Sequence, residues 1–235
     1  MTRRRWIADE FTSDRASLLG ANAAHLARVL RARVGEEHTL VCGDQVRVAT
    51  IAAVSEERVE FTLGELLDER AEREVALLLA VYKFDRMEWA IEKCVELGAT
   101  RIVPVIARRT DAHLAAACGK RVERWRRLAH EAAQQSRRQQ VPLIDEPLKL
   151  KAALALEFPF RLLLNENERA KKISQALPEN TLPVSIAVGP EGGWTDEELQ
   201  QFDAAGWQSV TLGQTILRAE TAAIAALAVL AAHAE

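Results

Sequence analysis

Two short stretches near the end of the chain constrain its architecture most: Gly189-Pro190-Glu191-Gly192-Gly193-Trp194-Thr195-Asp196 and Leu212-Gly213-Gln214-Thr215-Ile216-Leu217-Arg218-Ala219-Glu220-Thr221. Each follows a short apolar run and opens into a helical pattern. That placement predicts loops beyond the carboxyl ends of strands in an open α/β sheet, where such sheets hold ligands. Glycine at 189, 192 and 193 lets main chain approach a ligand with no Cβ between them. Two such loops in one half of a domain predict a single pocket built from both.

The rest of the chain has two regimes. Residues 1–71 read as a small β-rich unit, with alternating runs at 38–42, 46–54 and 58–63 and a tight Gly43-Asp44 connection between the first two. One helix is expected over 22–31, with Leu26, Val29 and Leu30 on one face, and the acidic stretch 66–74 reads as a linker. Residues 72–235 show strand-then-helix alternation, the pattern of an α/β domain with a parallel sheet. The run 75–81 is continuously apolar, as in a strand covered on both faces. Further strands are expected at 102–107, 161–164, 184–188 and 209–212. A helix over 85–97 is closed by Gly98, and a basic helix spans 120–137. Thr195 with Glu198 three residues later predicts a capping box, on a helix that Gly206 ends. The final segment, 219–232, is apolar almost all round and must be covered on most sides by its own domain or by another subunit. A homodimer is the expectation.

Composition narrows the class. The 235 residues are 49% hydrophobic and 28% charged, as in ordinary globular chains, and no run approaches the roughly 20 apolar residues that cross a bilayer. The basic start, Met-Thr-Arg-Arg-Arg-Trp, has no apolar segment behind it, so a cytoplasmic protein without membrane partners is expected. Cys42, Cys94 and Cys118 are odd in number and far apart, which reads as reduced cysteines used as small hydrophobes. The 5 histidines form no ligand cluster, so no metal is expected. Net charge is only −3, but between Arg101 and Gln140 ten Lys/Arg stand against three Asp/Glu. That local excess is a candidate footprint for nucleic acid, or a merely solvated basic helix.

The first glycine loop fits neither familiar phosphate-binding pattern. No lysine follows its glycines, as a Walker loop requires, and G-P-E-G-G lacks the G-x-G-x-x-G spacing of a dinucleotide fold. Glu191, Asp196, Glu197 and Glu198 would repel a pyrophosphate and suit a cationic or hydrogen-bond-donating ligand, such as a sulfonium or an adenine amino group.

G-P-E-G-G-W-T-x-x-E followed by L-G-x-x-I-L-R-x-E-T-A closely resembles the C-terminal signature of the RsmE family, the bacterial 16S ribosomal RNA uridine-N3 methyltransferases of the SPOUT, or α/β-knot, superfamily. Lys83 with Asp85-Arg86-Met87-Glu88 and 93–98 resembles that family's first helix, Arg124-Trp125 with 131–138 and Val141-Pro142 its second, and 25–31 its N-terminal helix. The resemblance implies a PUA-like β-barrel over 1–71 that helps grip RNA, and a trefoil-knot domain over 72–235 that holds S-adenosylmethionine. It implies an obligate dimer and the small ribosomal subunit as partner. By this likeness Leu163, Leu164, Asn165, Val188, Gly189, Glu191, Gly192, Gly193, Leu212, Gly213, Ile216, Leu217, Arg218 and Thr221 are the cofactor-binding candidates. Arg218 is the candidate to stabilise negative charge on the uracil oxygens, with Glu191 or Glu220 accepting the N3 proton or orienting Arg218. His25, Arg28, Arg31, Lys83, Arg121, Arg124, Arg127, Gln135 and Arg138 are candidate RNA contacts. Two alternatives stay open: another knotted methyltransferase acting on ribose 2′-hydroxyls or transfer RNA, and a non-catalytic RNA-binding assembly factor.

Overall fold

The computed structural model describes residues 4–69, 72–177 and 183–233. The chain forms two compact units, one of residues 1–71 with 133–140, the other of residues 72–132 with 141–235. The expected boundary at 71–72 touches residues 70 and 71, which lie outside the described stretches.

The first unit is built on strands β1 (Trp6–Ile7), β2 (Glu10–Phe11), β3 (Arg15–Leu19), β4 (Glu37–Cys42), β5 (Gln45–Val54) and β6 (Arg58–Leu66). They form one sheet in the order β1-β4-β5-β6-β3-β2, antiparallel except where β1 joins β4. Alternation drives β6: Val59, Phe61 and Leu63 are buried while Arg58, Glu60 and Thr62 face out. Cys42 pairs with Gln45 across the two-residue turn, where Gly43 takes the left-handed φ of +66°. Two register shifts between β5 and β6 bend the sheet, so that it curls around Trp6, Leu18, Leu40, Ile51 and Phe61.

The helix expected over 22–31 is different in kind. An α-helix, α1 (Gly20–Ala24), runs into a π-helical turn, His25–Val29, in which the Leu30 N–H donates to the His25 carbonyl at 3.1 Å. Arg31, at φ +52°, ends it. The expected linker also starts later, because Leu66 belongs to β6 and the Leu67 N–H donates to the Val46 carbonyl.

The second unit alternates β7 (Val75–Ala80), α2 (Phe84–Glu96), β8 (Arg101–Ile106), α3 (Ala112–Ala117), α4 (Val122–Gln135, its residues 133–135 counted with the first unit), β9 (Leu143–Ile144), β10 (Leu148–Lys149), α5 (Leu150–Leu154), β11 (Arg161–Leu164), α6 (Ile173–Ala176), β12 (Val184–Val188), α7 (Asp196–Ala204), β13 (Gln208–Val210) and α8 (Ala219–His233). Every strand pairing in it is parallel, in the order β10-β8-β7-β12-β11-β13 with β9 beside β8. Leu77, Leu78, Leu79, Ile186 and Ala187 are fully buried, as central parallel strands require. Gly98, at φ +104°, closes the α2 end, and the Ala99 N–H returns to the Cys94 carbonyl. Cys42, Cys94 and Cys118 are buried free thiols.

Candidate functional site

Strands β13, β11 and β12 lie side by side and run the same way, so their carboxyl ends deliver three loops to one place. A cavity opens there, walled by Leu164 and Asn165 at the end of β11 and just beyond, by Val188, Gly189, Glu191 and Gly193 at the end of β12 and beyond, and by Leu212, Gly213, Ile216 and Leu217 after β13. The two signature segments thus share one pocket, together with a third loop. Within that third loop Asn165 is locked: its Nδ2 donates to Ser209 Oγ at 3.3 Å and its Oδ1 accepts the Asn167 N–H at 3.0 Å. The Ala170 and Lys171 amides hold the exposed Glu168 carboxyl below the usual range.

The glycine loop is shaped by its neighbours. Gly193 sits at φ +69°, and a Cβ there would stand 2.7 Å from Glu166 Oε1. At Gly189 a Cβ would meet Trp194 Nε1 at 3.1 Å. Trp194 is anchored beneath, its ring 4.8 Å from that of Phe202 on α7. From outside, the segment after β8 braces the loop. Arg109 Nη1 donates to the carbonyls of Gly192 at 2.6 Å and Trp194 at 3.2 Å, and the Arg108 N–H donates to Glu198 Oε1 at 2.7 Å.

This brace corrects part of the electrostatic expectation. Glu198 is buried, and its second oxygen accepts the Thr195 N–H at 2.9 Å in the capping box, so its charge serves main chain and not the cavity. Of the four acids expected to repel phosphate, Glu191 alone is on the wall, where Glu166 joins it.

Beside the cavity lies a charged cluster. Arg86, on α2, donates to Glu191 Oε1 at 2.7 Å, and the same nitrogen stands 3.8 Å from Glu220 Oε1. Glu220 is 5% exposed and its Oε2 is buried without a hydrogen-bond partner among the described residues. The Tyr82 hydroxyl is likewise buried, with no hydrogen-bond partner among the described residues. Burial above all, with the nearby Glu220 and Glu191 carboxylates adding to it, pushes the hydroxyl above the ordinary phenol value, so it stays protonated.

Other expected cofactor residues fall elsewhere. Leu163 belongs to the core, Gly192 turns its carbonyl to Arg109, and Thr221 is exposed on α8. Arg218 is exposed just outside the wall, with no ion pair among the described residues. Glu166, Arg169 and Trp194 also line the wall and are not among the sequence candidates. Their signal was indirect, since 165–169 follows a strand but carries no glycine.

The candidate RNA contacts divide between the units. In the first, His25 is half-buried against Trp6, Arg28 pairs with Glu56, Arg31 and Gln135 are exposed, and Arg138 is buried. In the second, Lys83 and Arg127 are exposed, whereas Arg121 and Arg124 converge on Glu88 at 3.8 Å and 2.8 Å. No group of three or more His, Cys, Asp or Glu able to hold a metal ion occurs among the described residues.

Residues 69–231 match the family model of the RNA methyltransferase domain. Ribosomal RNA small subunit methyltransferase E of Mesomycoplasma hyopneumoniae is 41% identical over 152 residues, which span 64% of this chain and 66% of that one. Its namesake from Rickettsia conorii is 31% identical over 87% of this chain and 84% of its own. The crystal structure of the enzyme of that name from Neisseria gonorrhoeae, bound to S-adenosyl methionine, superposes with a TM-score of 0.84 and 32% identity, covering 97% of each chain. With its C-terminal loops gathered on one cavity, 87% of its length matched in sequence by one such relative and 97% in fold by another, the chain belongs to the ribosomal RNA small subunit methyltransferase E family of RNA methyltransferases.

Proposed function

We propose that this protein transfers a methyl group from S-adenosylmethionine to N3 of a uridine in 16S ribosomal RNA. The observation that carries the reading is the shared cavity: both signature segments of a methyltransferase family line one pocket at the carboxyl edge of a parallel sheet. The pocket suits that donor. Leu164, Val188, Leu212 and Leu217 supply apolar surface, bare main chain at Gly189 and Gly193 permits close approach, and Glu166 and Glu191 offer carboxylates to a cation. Bound there, the donor supplies a methyl already activated by its sulfonium, so no covalent nucleophile is required of the protein.

The chain's own residues then have two tasks. Uridine N3 holds its proton at neutral pH, so the site must favour the anion. The exposed Arg218 guanidinium stabilises charge growing on the uracil oxygens, and Glu191, on the wall, or Glu220, whose Oε2 has no hydrogen-bond partner among the described residues, takes the proton. The target base must leave any stack to enter, which fits a flipped or single-stranded nucleotide.

The same reading assigns a PUA-like, RNA-gripping barrel to 1–71 and a knotted methyltransferase domain to 72–235, working as a cytoplasmic homodimer on the small subunit. The curled sheet of the first unit and the parallel sheet of the second support it. No described helix is long and apolar enough to cross a membrane.

Digestion of ribosomal RNA from a deletion strain tests the reaction. Loss of 3-methyluridine is expected. Loss of a 2′-O-methyl nucleoside instead would move the protein to ribose chemistry. Calorimetry showing no S-adenosylmethionine binding would leave only an RNA-binding role.

A further inference from the structure

Arg86 lies on a helix that adds nothing to the cavity wall, yet it touches both of the wall's signature segments. Glu191 belongs to the loop after β12, between the wall residues Pro190 and Gly193. Glu220 opens α8, between the wall residues Ala219 and Ala222. One guanidinium nitrogen is 2.7 Å from the first acid and 3.8 Å from the second. Among the described residues Arg86 is also the only cation paired with the buried Glu220, and a buried carboxylate without a counter-charge is strongly disfavoured.

We propose that Arg86 is a positioning residue: it ties the glycine loop to the start of α8 and so sets the spacing of the cavity's two signature walls. The part of this that concerns the methyl donor rests on the function proposed above. The Arg86–Glu191 pair is partly exposed and adds little to global stability, so that contact is read in the loops rather than in the unfolding midpoint. A guanidinium can address two acids at once, which the point charge of lysine does less well.

The experiment has an arm without ligand and an arm with it. In the ligand-free protein, Arg86→Met keeps the aliphatic stem and removes the charge. Hydrogen exchange is expected to quicken about tenfold in both 189–194 and 217–221, with the β7 and β8 amides unchanged. An unchanged rate in either segment overturns the proposal. In the second arm, calorimetry with S-adenosylmethionine should show Kd raised about tenfold by Arg86→Met, with Arg86→Lys in between. Combining Arg86→Met with Glu191→Gln should cost clearly less than the sum of the single changes, since the two share one contact. Losses that simply add overturn the positioning role. If wild-type protein binds no S-adenosylmethionine while the exchange arm shows the expected loosening, the cofactor reading fails and the spacing role stands.

Discussion

Gly193 holds a backbone angle that L-residues adopt only with strain, and a side chain there would also press on Glu166. Gly189 has ordinary φ but faces the rigid Trp194 indole, whereas a Cβ at Gly192 would meet only the flexible Arg109 stem at 3.3 Å. Three glycines that look alike in sequence are thus expected to respond differently. Gly193→Ala should cost about 1–2 kcal/mol of loop stability and weaken S-adenosylmethionine binding most, Gly189→Ala should follow, and Gly192→Ala should bind nearly as wild type. Calorimetry on the three variants that gave equal losses would contradict this. The need for glycine was legible in the sequence; the reason for each one was not, because the opposing atoms come from other loops. Arg218→Ala should abolish turnover with little change in cofactor affinity, since Arg218 lies off the wall; single-turnover methylation beside calorimetry separates the two. Burial above all pushes the thiols of Cys42, Cys94 and Cys118 upward, keeping them protonated at neutral pH. Native protein should therefore resist iodoacetamide and denatured protein should not, as intact mass would show.

At the level of elements, α7 shows how a local signal can hide a tertiary one. Thr195 and Glu198 announced a capping box, and the box is present. What the pattern could not reveal is that Glu198 also receives the Arg108 amide from the loop after β8. Glu198→Ala should accordingly cost more than loss of a simple cap, about 2 kcal/mol. Urea unfolding measures this; a loss of only a few tenths would mean the brace is idle. Strands escaped notice where the period-2 signal fails. In β3 three successive residues, Ala16, Ser17 and Leu18, are all buried, and β1 and β2 are too short to show any period. The π-turn at 25–29 was invisible for a related reason, since an apolar stripe does not tell i+4 from i+5 bonding.

On the scale of the whole molecule, alternation alone pointed to the parallel sheet, but its order is not written in any local pattern. β12 enters between β7 and β11, although β11 precedes it in the chain. The helix α8 buries Ala223, Ala226, Leu227 and Leu230, while Ala228 is exposed and Ile224, Ala225 and Val229 are only partly covered. That incompletely covered apolar face supports the proposed dimer. Ala228→Arg should shift the protein toward monomer in light scattering at fixed concentration, and a wild-type protein that is itself monomeric would remove the dimer from the reading. The strand order has a further consequence for biosynthesis. A nascent polypeptide that stops short of Gln208 has two of the three loops but no β13 to close the third side. The third side of the cavity therefore closes only once β13, the last strand in chain order among the described residues, has been added.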